Sequence, residues 1–479
     1  MKNTMGTFKS KQTLKIFTTC FAISMLIFSC KTEEKPPNII ILLADDAGYA
    51  DFGFNGSKDL KTPNIDKLAS QGTVFTDFHV SAGVCGPSRA GLITGRYQHR
   101  FGAEYNENPV PKSEIMMSEV FQANGYKTAA FGKWHLGYKE AHHPNTRGFD
   151  EFYGFIGGHR HYFPDKEVKN NGNSMQRNGE YVNFEGYLTD DLGYKASDFI
   201  KKNKENPFFI YLAYNAVHTP MEATKEDMAL FKGHSRQKLA AMTWSLDRSI
   251  GHVMQTLKDE SIDDNTIVVF FSDNGGPTSN TSSNAPFKGT KGTEFEGGHR
   301  VPFIIKWNDK IKANAKYTKL TSALDLYPTF LKAAGITEQP KNKLDGVAWQ
   351  PYLNGEIDEA PHKQLFWRIN PWSAVREDSL KIVRAGKFGE GFYNLSNDIG
   401  EVNNLIEENK VTFERLVKDY EAWESEFPEP TGIGRSPKWE EVKGYMYQDM
   451  FNNRPIRIHS PGQLKAFKEK LKKEEENSK

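Results

Sequence analysis

Apolar and polar positions alternate along this chain in three distinct patterns, and each predicts a different kind of element. The first is the uninterrupted run. NIIILLADD (38–46) carries six apolar residues, Ile39 to Ala44, closed by two aspartates. Such runs suit central parallel strands buried on both faces. The same shape recurs in TAAFGKWH (128–135), which ends on Lys133 and His135, and in PFFIYLAYNAVHTP (207–220), which leads to His218. It returns in TIVVFFSDNGG (266–276), which ends on Asp273 and Asn274, while VPFIIKW (301–307) is a further candidate strand.

The second pattern is helical. Leu239, Met242, Leu246, Ile250, Val253 and Leu257 are spaced 3, 4, 4, 3 and 4, the stripe of a long amphipathic helix. A shorter helix is predicted from Pro63, with Thr62 as its cap and Gly72 just past its end. Strands alternating with helices predict an α/β domain with a mostly parallel sheet. Ligands of such sheets bind beyond the carboxyl ends of the strands. Four runs ending in Asp, Lys/His, His and Asp/Asn therefore predict one polar rim.

The third pattern begins near residue 345. QLFWRIN, WSAVRED, LKIVRAG and GFYNLSND are short alternating segments between turn residues, which predict a small antiparallel sheet. KVTFERLVKDYEAWESEF (410–427) predicts a helix packed on it, and LKAFKEKLKKEEENSK a charged, solvated helix or a frayed end.

Composition narrows the class. With 13% aromatic and 38% hydrophobic residues the chain is not disordered, and 62 basic against 61 acidic side chains argue against nucleic acid as a partner. The first 30 residues differ from the rest: Lys2, Lys9, Lys11 and Lys15 precede a mostly apolar run of thirteen, Ile16 to Phe28. The run is short for a membrane span and reads as a secretory signal. It ends in LIFSCK, which resembles the lipobox of bacterial lipoproteins and implies cleavage before an acylated Cys30. The expectation is an exported protein, lipid-anchored to a bacterial membrane. The chain then divides into a signal peptide (1–29), a tether (30–37), a main α/β domain (38–344) and a C-terminal subdomain (345–479). Cleavage removes Cys20 and lipidation occupies Cys30, so Cys85 is the only thiol of the folded part and no intrachain disulfide can form. A lone cysteine in an oxidising compartment must be buried or chemically altered.

Cys85 lies in SAGVCGPSRAGLITGRYQHR (81–100). Pro87 suits a first helical turn and Gly95 a helix end, which puts Cys85 at a helix mouth where unpaired N–H groups attract anions. Arg89 adds a cation one turn on. A buried structural cysteine is the competing reading.

CGPSR within this stretch resembles the C-x-P-x-R signature of the type I sulfatases. PNIIILLADDAGYADFG, TPNIDKLASQGTVFTDFH, GKWHLG, RGFDEFYGF, AVHTP, SDNGG, GTKGTEFEGGHRVP and YNLSNDIGEVNNL extend the resemblance over nearly the whole mature chain. It implies an alkaline-phosphatase-like α/β sandwich, with a large central sheet and a smaller C-terminal antiparallel sheet. It also implies that a formylglycine-generating or sulfatase-maturing enzyme converts Cys85 to formylglycine (3-oxoalanine). Asp45, Asp46, Asp273 and Asn274 match the family's ligands for one Ca²⁺, with converted Cys85 also on the metal. Oxygen-rich sites suit such hard cations, and Mg²⁺ is the competing ion. Arg89 would favour the ionised nucleophile, Lys133 and Lys291 would bind the sulfate, His135 would contact the aldehyde hydrate, and His218 would protonate the leaving sugar oxygen. Attack on sulfur would leave a sulfated hemiacetal, whose second hydroxyl collapses it and expels sulfate. Lys288 stands where many relatives carry arginine, and Glu296 and Arg300 match a structural segment. The substrate expected from the resemblance is a sulfated algal polysaccharide such as ulvan, or its oligosaccharides. GGHRHYFPD (157–165) and WRINPW (367–372) offer His159, His161 and Arg368 for a saccharide subsite. Two rival readings are a phosphonate or phosphate monoester hydrolase of the same superfamily and a non-catalytic surface glycan-binding lipoprotein.

Overall fold

Five strands lie side by side and parallel at the centre of the molecule: Thr266–Ser272, Asn38–Ala44, Phe208–Ala213, Lys127–Lys133 and Glu151–Phe155, in that spatial order. This is a computed structural model that describes residues 1–2, 35–167, 171–338, 340–430 and 436–477. The expected signal peptide, Cys30 and most of the tether lie outside the described residues. No helix among the described residues is long and apolar enough to cross a membrane.

The apolar runs exist because the sheet is covered on both faces. Ile40, Leu42 and Ala44 face one core, while Ile39, Ile41 and Leu43 face the other. Full burial of each such branched side chain contributes about 1.5–3 kcal/mol. The first core is roofed by the helices Pro63–Gln71, Leu188–Asn203 and Gln237–Asp259, and the six stripe residues of the last are all buried. The second is roofed by Cys85–Thr94, Met117–Ala123 and Leu326–Ala333. Phe303–Lys306 joins the sheet as expected, but antiparallel to Thr266–Ser272. Further antiparallel pairings at both flanks make a ten-stranded mixed sheet, parallel at its centre.

Thr62 does not cap the helix at Pro63. Its Oγ1 accepts the Gly53 amide and donates to Asp66. The unpaired amides of Asn64 and Ile65 donate instead to Asp247 Oδ1, at 2.9 and 2.8 Å, from the long helix opposite. A cap contributed from 182 residues away has no local signature.

Strands Gln364–Ile369, Trp372–Glu377, Leu380–Arg384 and Glu390–Asn394 form the small antiparallel sheet, one strand for each alternating segment. Helix Lys410–Glu424 covers one face, packing on Val375, Ile382 and Phe392. The other face meets a helix not anticipated, Pro437–Phe451, and the tail helix Leu464–Asn477. The tail is therefore not simply solvated: Leu464, Phe467 and Leu471 dock on that core. Both sheets belong to one compact unit, Pro37–Lys479.

Candidate active site

The register of the central strands sets the site. Ala44 pairs with Ser272, Leu43 with Ala213 and Gly132 with Ala213, so the four runs stop level with one another. The residues that follow them, with Lys133 itself, gather at one rim. Two turn sharply there: Asp46 and His135 hold φ angles of 63° and 62°, a left-handed conformation uncommon outside glycine, although Asp and His adopt it more often than most side chains. Strain of this sort survives only where the surroundings fix it, and it clusters at functional sites.

Helix Cys85–Thr94 runs beneath the rim with all ten residues buried, and Gly95 ends it at φ 64°. Arg89 ties the helix to two strands. Its Nε donates to Asp273 Oδ2 at 2.8 Å, its Nη1 donates to the Lys133 carbonyl at 2.8 Å, and its Nη2 lies 3.9 Å from Asp45 Oδ2. Lys133 Nζ donates to Asp45 Oδ2 at 2.7 Å. On the outer side Lys291 Nζ meets Asp46 Oδ1 at 2.6 Å and donates to Cys85 Sγ at 3.2 Å. Asn274 Nδ2 donates to Asp46 Oδ1 at 2.8 Å. His218 Nδ1 lies 2.6 Å from the Thr219 carbonyl, which assigns its proton to that nitrogen in the neutral ring. Its Nε2 faces Asp46 Oδ2 at 3.4 Å.

Burial and charge act against each other throughout this cluster. Burial tends to raise the Asp45 carboxyl, but Lys133, His218 and Arg89 hold it well below the usual range. Asp273 is pushed up to about 6 by burial and by Asp45, against Arg89. Burial lowers His218 and, with help from Lys133 and Arg89, holds His135 well below the usual histidine value, which keeps its ring neutral. Burial also pushes the Cys85 thiol up, opposed by Lys133 and Lys291. A deprotonated thiol is the nucleophilic form, so an unaltered Cys85 is poorly suited to attack.

The donor set fits a hard cation. Asp45 Oδ1 and Asn274 Oδ1 are buried without a hydrogen-bond partner, which a native structure rarely tolerates. Ligand atoms of Asp45, Asp46, Cys85 and His218 lie within 4.8 Å of one another. Three carboxylates and an amide oxygen crowded together match the oxygen ligands that Ca²⁺ or Mg²⁺ takes.

Above the cluster opens a cleft of about 870 Å³, lined by Cys85, His135, His218 and Lys291 at its base and by His159 and His161 on its wall. The structure thus gathers all the residues matched to the catalytic and metal positions. Arg368 does not join them. It is buried against Glu104, with Nη2 and Nε at 2.7 and 3.0 Å from the carboxylate, and lines a separate depression. Its two carboxylate partners, Glu104 and Glu424, stand on other segments, so an exposed-looking arginine in WRINPW is a structural ion pair. Sequence reasoning missed Asn106 and Tyr138 on the cleft wall; Asn106 sits in a polar loop with no apolar run to flag it, and Tyr138 lies three residues past His135. Asn106 Oδ1 accepts the Gly86 amide and so caps the Cys85 helix.

Residues 37–336 match the protein family described as Sulfatase, and residues 290–422 match the one described as N-sulphoglucosamine sulphohydrolase, C-terminal. The N-acetylgalactosamine-6-sulfatase of Homo sapiens is 34% identical over 391 residues, covering 72% of this chain and 74% of that protein. Arylsulfatase G of Homo sapiens is 32% identical over 412 residues, covering 76% and 77%. Among solved structures, Ps i-CgsB in complex with k-i-k-neocarrahexaose superposes with a TM-score of 0.80 at 39% identity, covering 87% of this chain and 98% of that one.

Proposed function

Since the chain belongs to the sulfatase family and is a sulfuric ester hydrolase, we propose that it removes sulfate from a sulfated oligosaccharide with a nucleophile made from Cys85. The observation that carries the reading is Cys85 Sγ at the helix mouth, 3.2 Å from Lys291 Nζ and beside the crowded carboxylates of Asp45 and Asp46. Formylglycine at this position would supply a hydroxyl nucleophile and a second hydroxyl through which sulfate leaves. Asp45, Asp46, Asp273 and Asn274 would hold one cation, for which we favour Ca²⁺, and it would supply Lewis-acid stabilisation of developing negative charge.

The chain's own residues divide the remaining work. Lys291 stands at the sulfur with its ammonium turned to the cleft; burial opposes its charge, but Asp46, Cys85 and Asp45 hold its pKa well above the usual value. It is a fixed cation for sulfate oxygens, with Lys133 behind it. His218 lines the cleft with Nε2 3.4 Å from Asp46 Oδ2, and in its protonated form it can give a proton to the departing sugar oxygen. Neutral His135 can hold or take a proton beside the nucleophile. Arg89 is a positioning residue: its guanidinium is committed to Asp273 and to the Lys133 carbonyl rather than to the cleft.

For the sugar, the neocarrahexaose held by the 39% identical Ps i-CgsB favours a carrageenan-type oligosaccharide over ulvan. We extend the proposal to export and lipid anchoring at Cys30, supported by the LIFSCK stretch. Mass spectrometry of the Cys85 peptide, with sulfate release from neocarrahexaose and from a matching phosphate monoester, tests the reading. The expected result is an aldehyde in place of the thiol and release of sulfate. An intact thiol in active protein overturns the nucleophile, and faster release of phosphate overturns the substrate class.

A further inference from the structure

The cleft above Cys85 has a second lobe on the side of the C-terminal subdomain. It encloses about 440 Å³ and shares Asn106, Glu107, His218 and Lys291 with the first. The two lobes therefore meet at the residues that face the reacting sulfate. The far wall comes from the helix Pro437–Phe451, which sequence reasoning had not found, and from the turn at Asn370 and Trp372.

Three features of this lobe suit a charged sugar. Trp439 stands 45% exposed on the first turn of the helix, one of the few large apolar side chains left in solvent. An indole face of this kind is the usual platform for the apolar face of a ring-shaped ligand. One turn further, Lys443 Nζ lies 5.5 Å over the Trp372 ring. It makes no hydrogen bond and no ion pair within 4.0 Å among the described residues. Gly292, at φ 77°, makes room for it: a Cβ there would stand 2.6 Å from Lys443 Nζ. The ammonium is thereby held against the loop that carries Lys291. Burial, with Lys291 nearby and Glu294 opposing, lowers its pKa to about 8. This half-buried cation stands beside another cation, and its opposing carboxylates, Glu294 and Glu440, make no ion pair with it within 4.0 Å, which leaves the ammonium able to take an anion.

We propose that this second lobe is a saccharide subsite, in which Trp439 stacks on the sugar next to the one being desulfated and Lys443 binds an anionic substituent, a sulfate, on that neighbour. The inference rests on the oligosaccharide reading above. A chain seated in both lobes passes across Cys85, so sulfates on internal residues come within reach of the nucleophile.

The test compares two substrates on one preparation: k-i-k-neocarrahexaose, whose chain can fill both lobes, and 4-nitrophenyl sulfate, which fills neither. For Trp439→Ala and Lys443→Gln, kcat/KM on the hexasaccharide falls roughly tenfold or more further than on the aryl sulfate, the usual scale for truncating an anchor residue. The loss appears mainly in KM. Lys443→Arg restores most of it, since a guanidinium binds sulfate at least as well. Equal losses on both substrates, with wild type cleaving both, overturn the subsite and leave the sulfatase reading standing. A wild type that cleaves only the aryl sulfate overturns the oligosaccharide reading and the subsite with it.

Discussion

At the scale of single residues, the site is a set of commitments, and substitutions separate the groups that touch substrate from those that position others. His218 has one nitrogen bound to the Thr219 carbonyl and the other 3.4 Å from Asp46 Oδ2, on a ring that lines the cleft. The proton-donor role we propose for it predicts that His218→Asn lowers kcat by about 10²–10⁴-fold on a sugar sulfate, whose alcohol is a poor leaving group. On 4-nitrophenyl sulfate, whose leaving group needs no proton, the loss shrinks markedly. Steady-state kinetics on both substrates decide it, and equal losses would remove the assignment. Arg89→Lys acts differently. It keeps the charge but cannot reach both Asp273 and the Lys133 carbonyl, and it leaves a carboxylate buried without its partner. A cost of about 1–3 kcal/mol follows for a buried polar group left without its hydrogen bond. Thermal unfolding should therefore fall together with kcat, whereas His218→Asn should lower kcat with little change in Tm. These residues were legible because each closes an apolar run or sits in a matched motif. Arg368 was misread because its carboxylate partner Glu104 lies 264 residues away, and nothing in WRINPW reveals it.

At the scale of elements, the legible parts were those whose burial imposes a period. The strand Asn38–Ala44 is apolar at every position from Ile39 on because each of its faces meets a separate core, and the helix Gln237–Asp259 shows its stripe because only one side is buried. The helix Pro437–Phe451 escaped because it is wedged between the small sheet and the cleft, so that buried Val442, Met446 and Met450 are interleaved with functional Trp439 and Lys443. The cap of Pro63–Gln71 escaped because it is tertiary. Asp247 receives two backbone amides and the Asn64 side chain. Replacing it by alanine should lower stability by about 1–2 kcal/mol, read as a lower Tm. Burial also pushes the Asp247 carboxyl up to about 6, above its value in the unfolded chain. The folded state then binds more proton between about pH 4 and 6, so this group's contribution falls as pH rises through that window. The difference in stability between wild type and Asp247→Ala should accordingly be larger at pH 4 than at pH 7. Urea titrations at the two pH values measure it, and a difference that grows with pH would contradict the assignment.

At the scale of the whole molecule, the two sheets are locked by a buried charge network that also frames the loop carrying Lys291. Glu296 takes Lys381 Nζ at 2.8 Å, Arg376 Nη1 at 2.9 Å and Arg300 Nη1 at 3.1 Å, while Arg376 also reaches Asp77 and Lys381 reaches Glu401. His79, Glu296 and His299 have the spacing of a metal site, but lysine and arginine already fill the cation's place. His299 Nε2 lies 3.2 Å from both Lys381 Nζ and the Glu294 carbonyl, its Nδ1 lies 3.0 Å from His79 Nδ1, and His79 Nε2 lies 2.8 Å from Asp77 Oδ1. Nothing local announces this network: Lys381 and Glu296 stand 85 residues apart, in segments that read as an ordinary strand and a glycine-rich turn. The alternating pattern thus predicts that a second sheet exists but is silent on how it is joined to the first. Asp77, Glu296 and Glu401 balance Arg300, Arg376 and Lys381, which predicts a coupling between substitutions. Lys381→Met leaves one uncompensated buried charge and should cost about 3–5 kcal/mol. Adding Glu296→Gln removes one carboxylate and so restores an equal count, Asp77 and Glu401 against Arg300 and Arg376. The double variant should melt above the single Lys381→Met variant, whereas independent contacts would make it melt lower. Calorimetry of the two variants against wild type decides whether the sheets are joined by a balanced network or by separate bonds.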